Sequence, residues 1–250
     1  MVATLLLGGC AIWRPTPVPI PTTRVDAACP SRPDTLLVFL PGSFSLPQEF
    51  IDNGFAAAVR ARGIAADLLL VDAHMGYYTE KSIIDRLQAD VVAPARARGY
   101  RQVWFVGISL GAFGAMIYDN EHAGAVDGIV ALAPFLGSRE IGRQIDAAGG
   151  LAAWTSPTPM IANDDIDRRL WLYLKRLTTK NDGAGARPAF LLGYGLDDRF
   201  EFNDRLLAAA LPPTSTRTTP GGHDWPTWKA LWTKVLDANL WPVDPACKAS

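Results

Sequence analysis

The sequence predicts an α/β chain: a doubly wound, mostly parallel sheet flanked by helices, with a small cap insertion. Three observations carry this expectation. Apolar runs of strand length alternate with helical apolar stripes from Leu36 to Leu240, the pattern of strands buried on both faces beneath packed helices. The polar and glycine-rich turns fall just after the strand runs, where open α/β sheets gather their working residues. At Gly107-Ile108-Ser109-Leu110-Gly111 a strand pattern passes into a helix pattern through one tight turn. Glycine two positions either side of the serine lets strand and helix approach without a Cβ clash.

In order, Leu36–Leu40 reads as a buried strand ending at Pro41-Gly42-Ser43-Phe44. Ser45-Leu46-Pro47-Gln48 offers a capping box, and Phe50, Ile51, Phe55 and Val59 form a helical stripe stopped by Gly63. Leu68–Val71 is a second strand, followed by the loop Asp72-Ala73-His74-Met75-Gly76. A helix carries Ile83, Ile84, Leu87, Val91 and Val92, and a strand at 102–107 leads into the serine turn. Gly128–Ala133 is the next strand. From 138 to 187 the alternation breaks, and this stretch is expected to be a cap over the sheet edge or an ordinary helical crossover. Within it, Ile166, Leu170, Tyr173, Leu174 and Leu177 make a stripe behind Asp164 and Asp165. Pro188–Leu192 resumes the strands, a helix covers about 199–210, and a weak strand at 214–218 leads to Gly221-Gly222-His223. The last helix carries Trp228, Leu231, Trp232, Val235, Leu236 and Leu240 on one face.

A chain of 250 residues, 49% hydrophobic and 20% charged, has the composition of a globular protein with a sizeable core. A net charge of −1 without basic clusters gives no electrostatic case for nucleic acid. No repeat or membrane-spanning run is evident. Met1–Leu7 is apolar but too short to span a bilayer, and it leads into Leu7-Gly8-Gly9-Cys10, which resembles a bacterial lipobox although no Lys or Arg precedes it. Pro15, Pro17, Pro19 and Pro21 follow as a polyproline-like tether. Residues 1–30 are therefore expected to be signal and tether, and 31–250 the domain. The implied location is the periplasmic side of a cell envelope, with a membrane anchor at lipidated Cys10; the alternative is a cytoplasmic chain. Cys29 and Cys247 then remain as an even pair, either a disulfide or two terminal thiols.

A serine hydroxyl becomes a useful nucleophile when a base takes its proton and an acid orients that base. Only three histidines are present. His122 lies in a polar helix end, and His74 on an early loop. His223 stands in a glycine turn before the final helix and is the expected base for Ser109. The acid should follow the strand at 188–192, where both Asp197 and Asp198 qualify; Asp198 is favoured by the Gly195-x-x-Asp198 turn.

The order Ser109, Asp198, His223, with the serine turn after a central strand, resembles the α/β-hydrolase superfamily over about 36–240. Gly221-Gly222-His223-Asp224-Trp225 is similar to the histidine turn of its esterase-type members. The resemblance implies carboxylic-ester hydrolysis through an acyl-enzyme. It implies oxyanion donors at the Leu110 N–H and, on the loop after the first strand, the Ser43 N–H, with Phe44 as second choice. The family's His-Gly reads Pro41-Gly42 here, which leaves the main-chain donor in place. Acyl transfer or thioesterase chemistry on the same triad, and a non-catalytic envelope-binding role, are the alternatives. Phe44, His74, Tyr77, Tyr78, Phe135 and the 138–187 stretch are expected to wall the pocket. The expected partner is a small or lipid-like ester. No cofactor or metal is implied, since no His-Glu-x-x-His, paired-cysteine or acidic calcium-loop pattern occurs.

Overall fold

The computed structural model describes residues 14–156, 165–179 and 188–248. Seven strands form one sheet: β1 (Thr22–Val25), β2 (Thr35–Leu40), β3 (Ala66–Val71), β4 (Gln102–Ile108), β5 (Gly128–Leu132), β6 (Ala189–Gly195) and β7 (Thr216–Thr219). Their order is β1-β3-β2-β4-β5-β6-β7. All neighbours pair in parallel except β1, which runs antiparallel to β3.

Side chains alternate across the sheet, so each central strand feeds two cores. Leu36, Val38 and Leu40 of β2 join a core beneath α6 (Leu110–Glu121), whereas Leu37 and Phe39 join one beneath α2 (Phe55–Ala61) and α10 (Trp225–Leu236). In the second core Phe55 stacks on Trp232 with centroids 5.5 Å apart. Trp228, Leu231, Trp232, Val235 and Leu236 are buried, as the final stripe predicts.

The helix expected over 45–63 is broken. α1 (Gln48–Asp52) ends at Asn53, and Gly54, in the left-handed region at φ 79°, restarts the chain as α2. The Ser45/Gln48 capping box is not formed; instead the Glu49 carboxylate accepts the Leu46 N–H. The stripe through Ile83–Val92 is helical but not uniformly α. α4 (Ile83–Arg86) passes through a π-helical stretch, Leu87–Val92, into α5 (Ala93–Ala97).

The signal and tether expected over residues 1–30 is also corrected, from residue 14 onward. From residue 14 the chain packs on the domain. Ile20 is buried, and β1 covers the edge that β3 would otherwise leave unpaired. Arg14 pairs with Asp72, and the Ile20 N–H donates to Asp90 at 2.8 Å. Cys10 lies outside the described residues. Cys29 and Cys247 form a disulfide, Cα–Cα 4.0 Å, that ties the start of the domain to its end.

Of the 138–187 stretch, residues 157–164 and 180–187 lie outside the described residues. α7 (Arg139–Ala147) packs against α9 (Glu201–Ala210) and α8 (Ile166–Thr178) against α6. There the Tyr173 hydroxyl donates to Asp119 at 2.9 Å. These helices join the flanking layer. Among the described residues no helix is long and apolar enough to cross a membrane.

Candidate active site

Ser109 stands between β4 and α6 with φ 53° and ψ −112°, a backbone state that costs a non-glycine residue about 1–3 kcal/mol. Neighbouring hydrogen bonds hold it there. Its N–H donates to Leu132 O at 2.9 Å, and its carbonyl accepts from Phe113 N at 3.1 Å and Phe135 N at 3.2 Å. The flanking glycines are required sterically. A Cβ on Gly107 would lie 2.4 Å from Ala112 N, and one on Gly111 2.1 Å from Leu40 O.

β7 delivers His223 through a loop pinned at both ends. Gly221 has φ 118°, and Asp224 caps α10 by accepting the Thr227 N–H at 3.0 Å. These bonds to Thr227 also hold the Asp224 carboxyl below its usual range. His223 Nε2 lies 3.0 Å from Ser109 Oγ, and Nδ1 lies 2.8 Å from Asp198 Oδ2. A carboxylate can only accept, so Nδ1 carries the proton in the neutral ring and Nε2 is left as acceptor for the serine. Phe200 and Trp228 meet the imidazole edge-on, with centroids 5.0 and 5.2 Å away.

The two aspartates have different tasks. Asp198, with an inaccessible side chain, also accepts the Phe200 N–H at 2.9 Å. Asp197 faces the other way and accepts the Gly221 N–H at 3.1 Å, fastening the histidine loop. A third carboxyl lies behind them. Asp204 is wholly buried, and neither oxygen has a hydrogen-bond partner among the described residues. Burial, followed by the charges of Asp198 and Glu201, raises it well above the ordinary carboxylate range.

Leu110 opens α6, where first-turn N–H groups have no partner within the helix. Ser43 sits in a turn closed by Ser45 N–H to Gly42 O at 3.1 Å. A Cβ on Gly42 would lie 3.6 Å from Ser109 Cβ, so this loop lies directly against the serine.

The expected pocket walls divide. Phe135 is at the site, bonded to Ser109 and 5.5 Å from the Phe200 ring. Phe44 is 92% exposed. His74 and Tyr77 are corrected from wall to strap. His74 Nδ1 accepts the Gly76 N–H, capping α3 (Met75–Thr79), and its Nε2 lies 3.0 Å from Pro15 O. The Tyr77 hydroxyl donates to Pro17 O at 2.8 Å. Both rings face the N-terminal segment, whose contribution the sequence reading did not include. Tyr78, by contrast, lines a cleft with Phe113 and Phe135. Phe113, Phe200 and Trp228 were missed, although their spacing from Ser109, Asp198 and His223 is the available signal. No group of three or more His, Cys, Asp or Glu that could hold a metal occurs among the described residues.

No protein-family model matches the sequence, and no curated protein is similar to it in sequence. Solved structures are similar in fold. Est1E from Butyrivibrio proteoclasticus superposes with a TM-score of 0.60 at 15% identity, over 88% of this chain and 92% of that one. A ferulic acid esterase gives 0.57 at 16% identity, over 80% and 82%. An S-formylglutathione hydrolase from Staphylococcus aureus gives 0.53 at 12%, over 82% and 80%. Sheet order, serine turn and these superpositions agree: the chain has the α/β-hydrolase fold.

Proposed function

We infer that the protein is a serine hydrolase of carboxylic esters, working through Ser109, His223 and Asp198. The observation that carries this reading is the continuous relay of 3.0 Å from Ser109 Oγ to His223 and 2.8 Å from His223 to Asp198. Ser109 Oγ attacks the ester carbonyl carbon as Nε2 takes its proton. Asp198 holds the ring and stabilises the imidazolium. The Leu110 and Ser43 N–H groups stabilise the oxyanion, a donor of this kind being worth about 3–4 kcal/mol. Collapse of the tetrahedral intermediate expels the alcohol, which leaves with the proton from His223. Water then attacks the acyl-enzyme, with His223 as base, and releases the acid and free Ser109.

Turnover of p-nitrophenyl butyrate tests the reading. Ser109→Ala is expected to lower kcat by about 10⁵–10⁶-fold; parental turnover in that variant would contradict it.

The envelope location follows as part of the same reading. The Cys29–Cys247 disulfide supports an oxidising compartment, and Cys10 would carry the lipid. Cys10→Ser should move the protein from the membrane to the soluble fraction. Unchanged fractionation would refute lipidation.

A further inference from the structure

A cleft of about 580 Å³ opens between α3, α4, α6 and the start of α8, with Phe113 and Phe135 in its lining. Its lining is mostly apolar, including Met75, Tyr78, Ile84, Phe113, Phe135 and Ile166. Met75 and Ile166 leave 39% and 38% of their surface open at its rim. Of the charged residues in the lining, Lys81, Asp85 and Glu121 are solvent-exposed, whereas Asp167 and Arg169 are half-buried; Asp167 accepts the Ser138 N–H at 2.7 Å and Arg169 pairs with Glu121 at 3.0 Å. A concave, apolar surface left open to water is where an apolar ligand gains most from leaving water.

A row of rings joins this cleft to the imidazole. Centroids are 5.0 Å apart from His223 to Phe200, 5.5 Å from Phe200 to Phe135, 5.8 Å from Phe135 to Phe113, and 6.4 Å from Phe113 to Tyr78. Phe113 and Phe135 also donate their N–H groups to the carbonyl of Ser109 itself. Two residues of the cleft lining are therefore fixed through the main chain to Ser109.

The proton path decides which arm of an ester belongs there. The leaving oxygen must take the proton from His223 Nε2, so the alcohol lies on the imidazole side. The cleft lies away from it, with Phe200 and then Phe135 between. We propose that this cleft binds the acyl chain, and that the substrates are esters of extended, uncharged apolar acids. The proposal rests on the ester-hydrolase reading. Tyr78 is one of the lining residues. Its hydroxyl is pressed against α6, where a Cβ on Gly114 would stand 2.3 Å away.

The test is a p-nitrophenyl ester series from acetate to octanoate, with active sites counted by fluorophosphonate titration. Each buried methylene can raise kcat/KM by up to about fourfold, so the octanoate-to-acetate ratio should exceed about 50. Gly114→Ala should push Tyr78 into the cleft, and Ile166→Glu should place a charge at its rim. Each is expected to cut that ratio at least fivefold per titrated site, on the order of one buried methylene. A flat ratio with acetate still hydrolysed would overturn the subsite and leave the hydrolase reading standing. So would a rise along a series of alkyl acetates with a flat acyl series, which gives the cleft to the alcohol. Absence of both labelling and turnover in the folded protein would overturn both readings.

Discussion

His223 is positioned by contacts on every side: a carboxylate at Nδ1, a hydroxyl at Nε2, and two aromatic edges. The neighbouring aspartates differ in burial and in what their carboxylates hold, Asp198 the imidazole and exposed Asp197 the Gly221 N–H, and this separates their expected effects. Asp198→Asn should lower kcat by about 10⁴-fold, because the amide no longer selects the productive tautomer. Asp197→Asn keeps an acceptor for the Gly221 N–H and should cost less than about tenfold. Steady-state kinetics of the two variants on p-nitrophenyl butyrate checks this, and equal losses would contradict it. Asp204 gives a stability prediction. Its raised carboxyl pKa means that the folded state holds a proton that the unfolded chain has already released. Its contribution is complete below the unfolded value of about 3.9 and declines as pH rises toward the folded value, by up to about 1.4 kcal/mol per pH unit. Asp204→Asn should therefore gain stability over the parent as pH rises above 4 and gain little below it. Denaturant titrations at pH 4, 6 and 8 would show this; a difference independent of pH would contradict it. At this scale Ser109 and His223 were legible, because a glycine-flanked serine and a histidine in a glycine turn leave few alternatives. The choice between Asp197 and Asp198 was only a preference, since both share one turn. His74 and Tyr77 were misread because the loop at a strand end has two sides, and the side facing residues 14–20 carries no local signal.

The serine turn is the element whose sequence says most about its geometry. Gly107 and Gly111 are dictated by close backbone approach, of Ala112 within the turn and of the Leu40 carbonyl on β2, and each leaves no room for a Cβ. Gly111→Ala would drive a Cβ into the Leu40 carbonyl, so it should destabilise the fold by about 2 kcal/mol or more and impair the site. Thermal unfolding and ester turnover measured together would show both losses; a stable, fully active variant would contradict the packing described. Elsewhere the elements were legible as apolar stripes and strand runs, but their interruptions were not. A stripe through Phe50 and Val59 reads the same whether one helix carries it or two meet at Gly54. The π-helical stretch Leu87–Val92 likewise keeps its apolar residues on the core side. The Ser45/Gln48 pattern lost to Glu49, one residue further on, which reaches the open N–H of Leu46.

At the scale of the molecule, the alternation of strands and helices was sufficient for the parallel sheet, because strands buried on both faces read as uninterrupted apolar runs. β1 was not legible: Thr22, Thr23 and Arg24 lie exposed on the edge, and their pairing with β3 depends on main-chain hydrogen bonds rather than on apolar side chains. The proline-spaced segment reads as a tether for a related reason. Part of its attachment uses its carbonyls, held by His74 and Tyr77, and carbonyls are the same in every residue. The sheet, the two cores and the disulfide converge on one arrangement, Ser109 at the carboxyl edge 3.0 Å from His223 Nε2, and the proposed nucleophilic role of Ser109 rests on it. Intact-mass and peptide mapping after treatment with a fluorophosphonate tests this most directly. The account predicts a single adduct on Ser109, lost in Ser109→Ala and much slower in His223→Ala. A folded parent protein that takes no adduct, or labelling unchanged by Ser109→Ala, would contradict it.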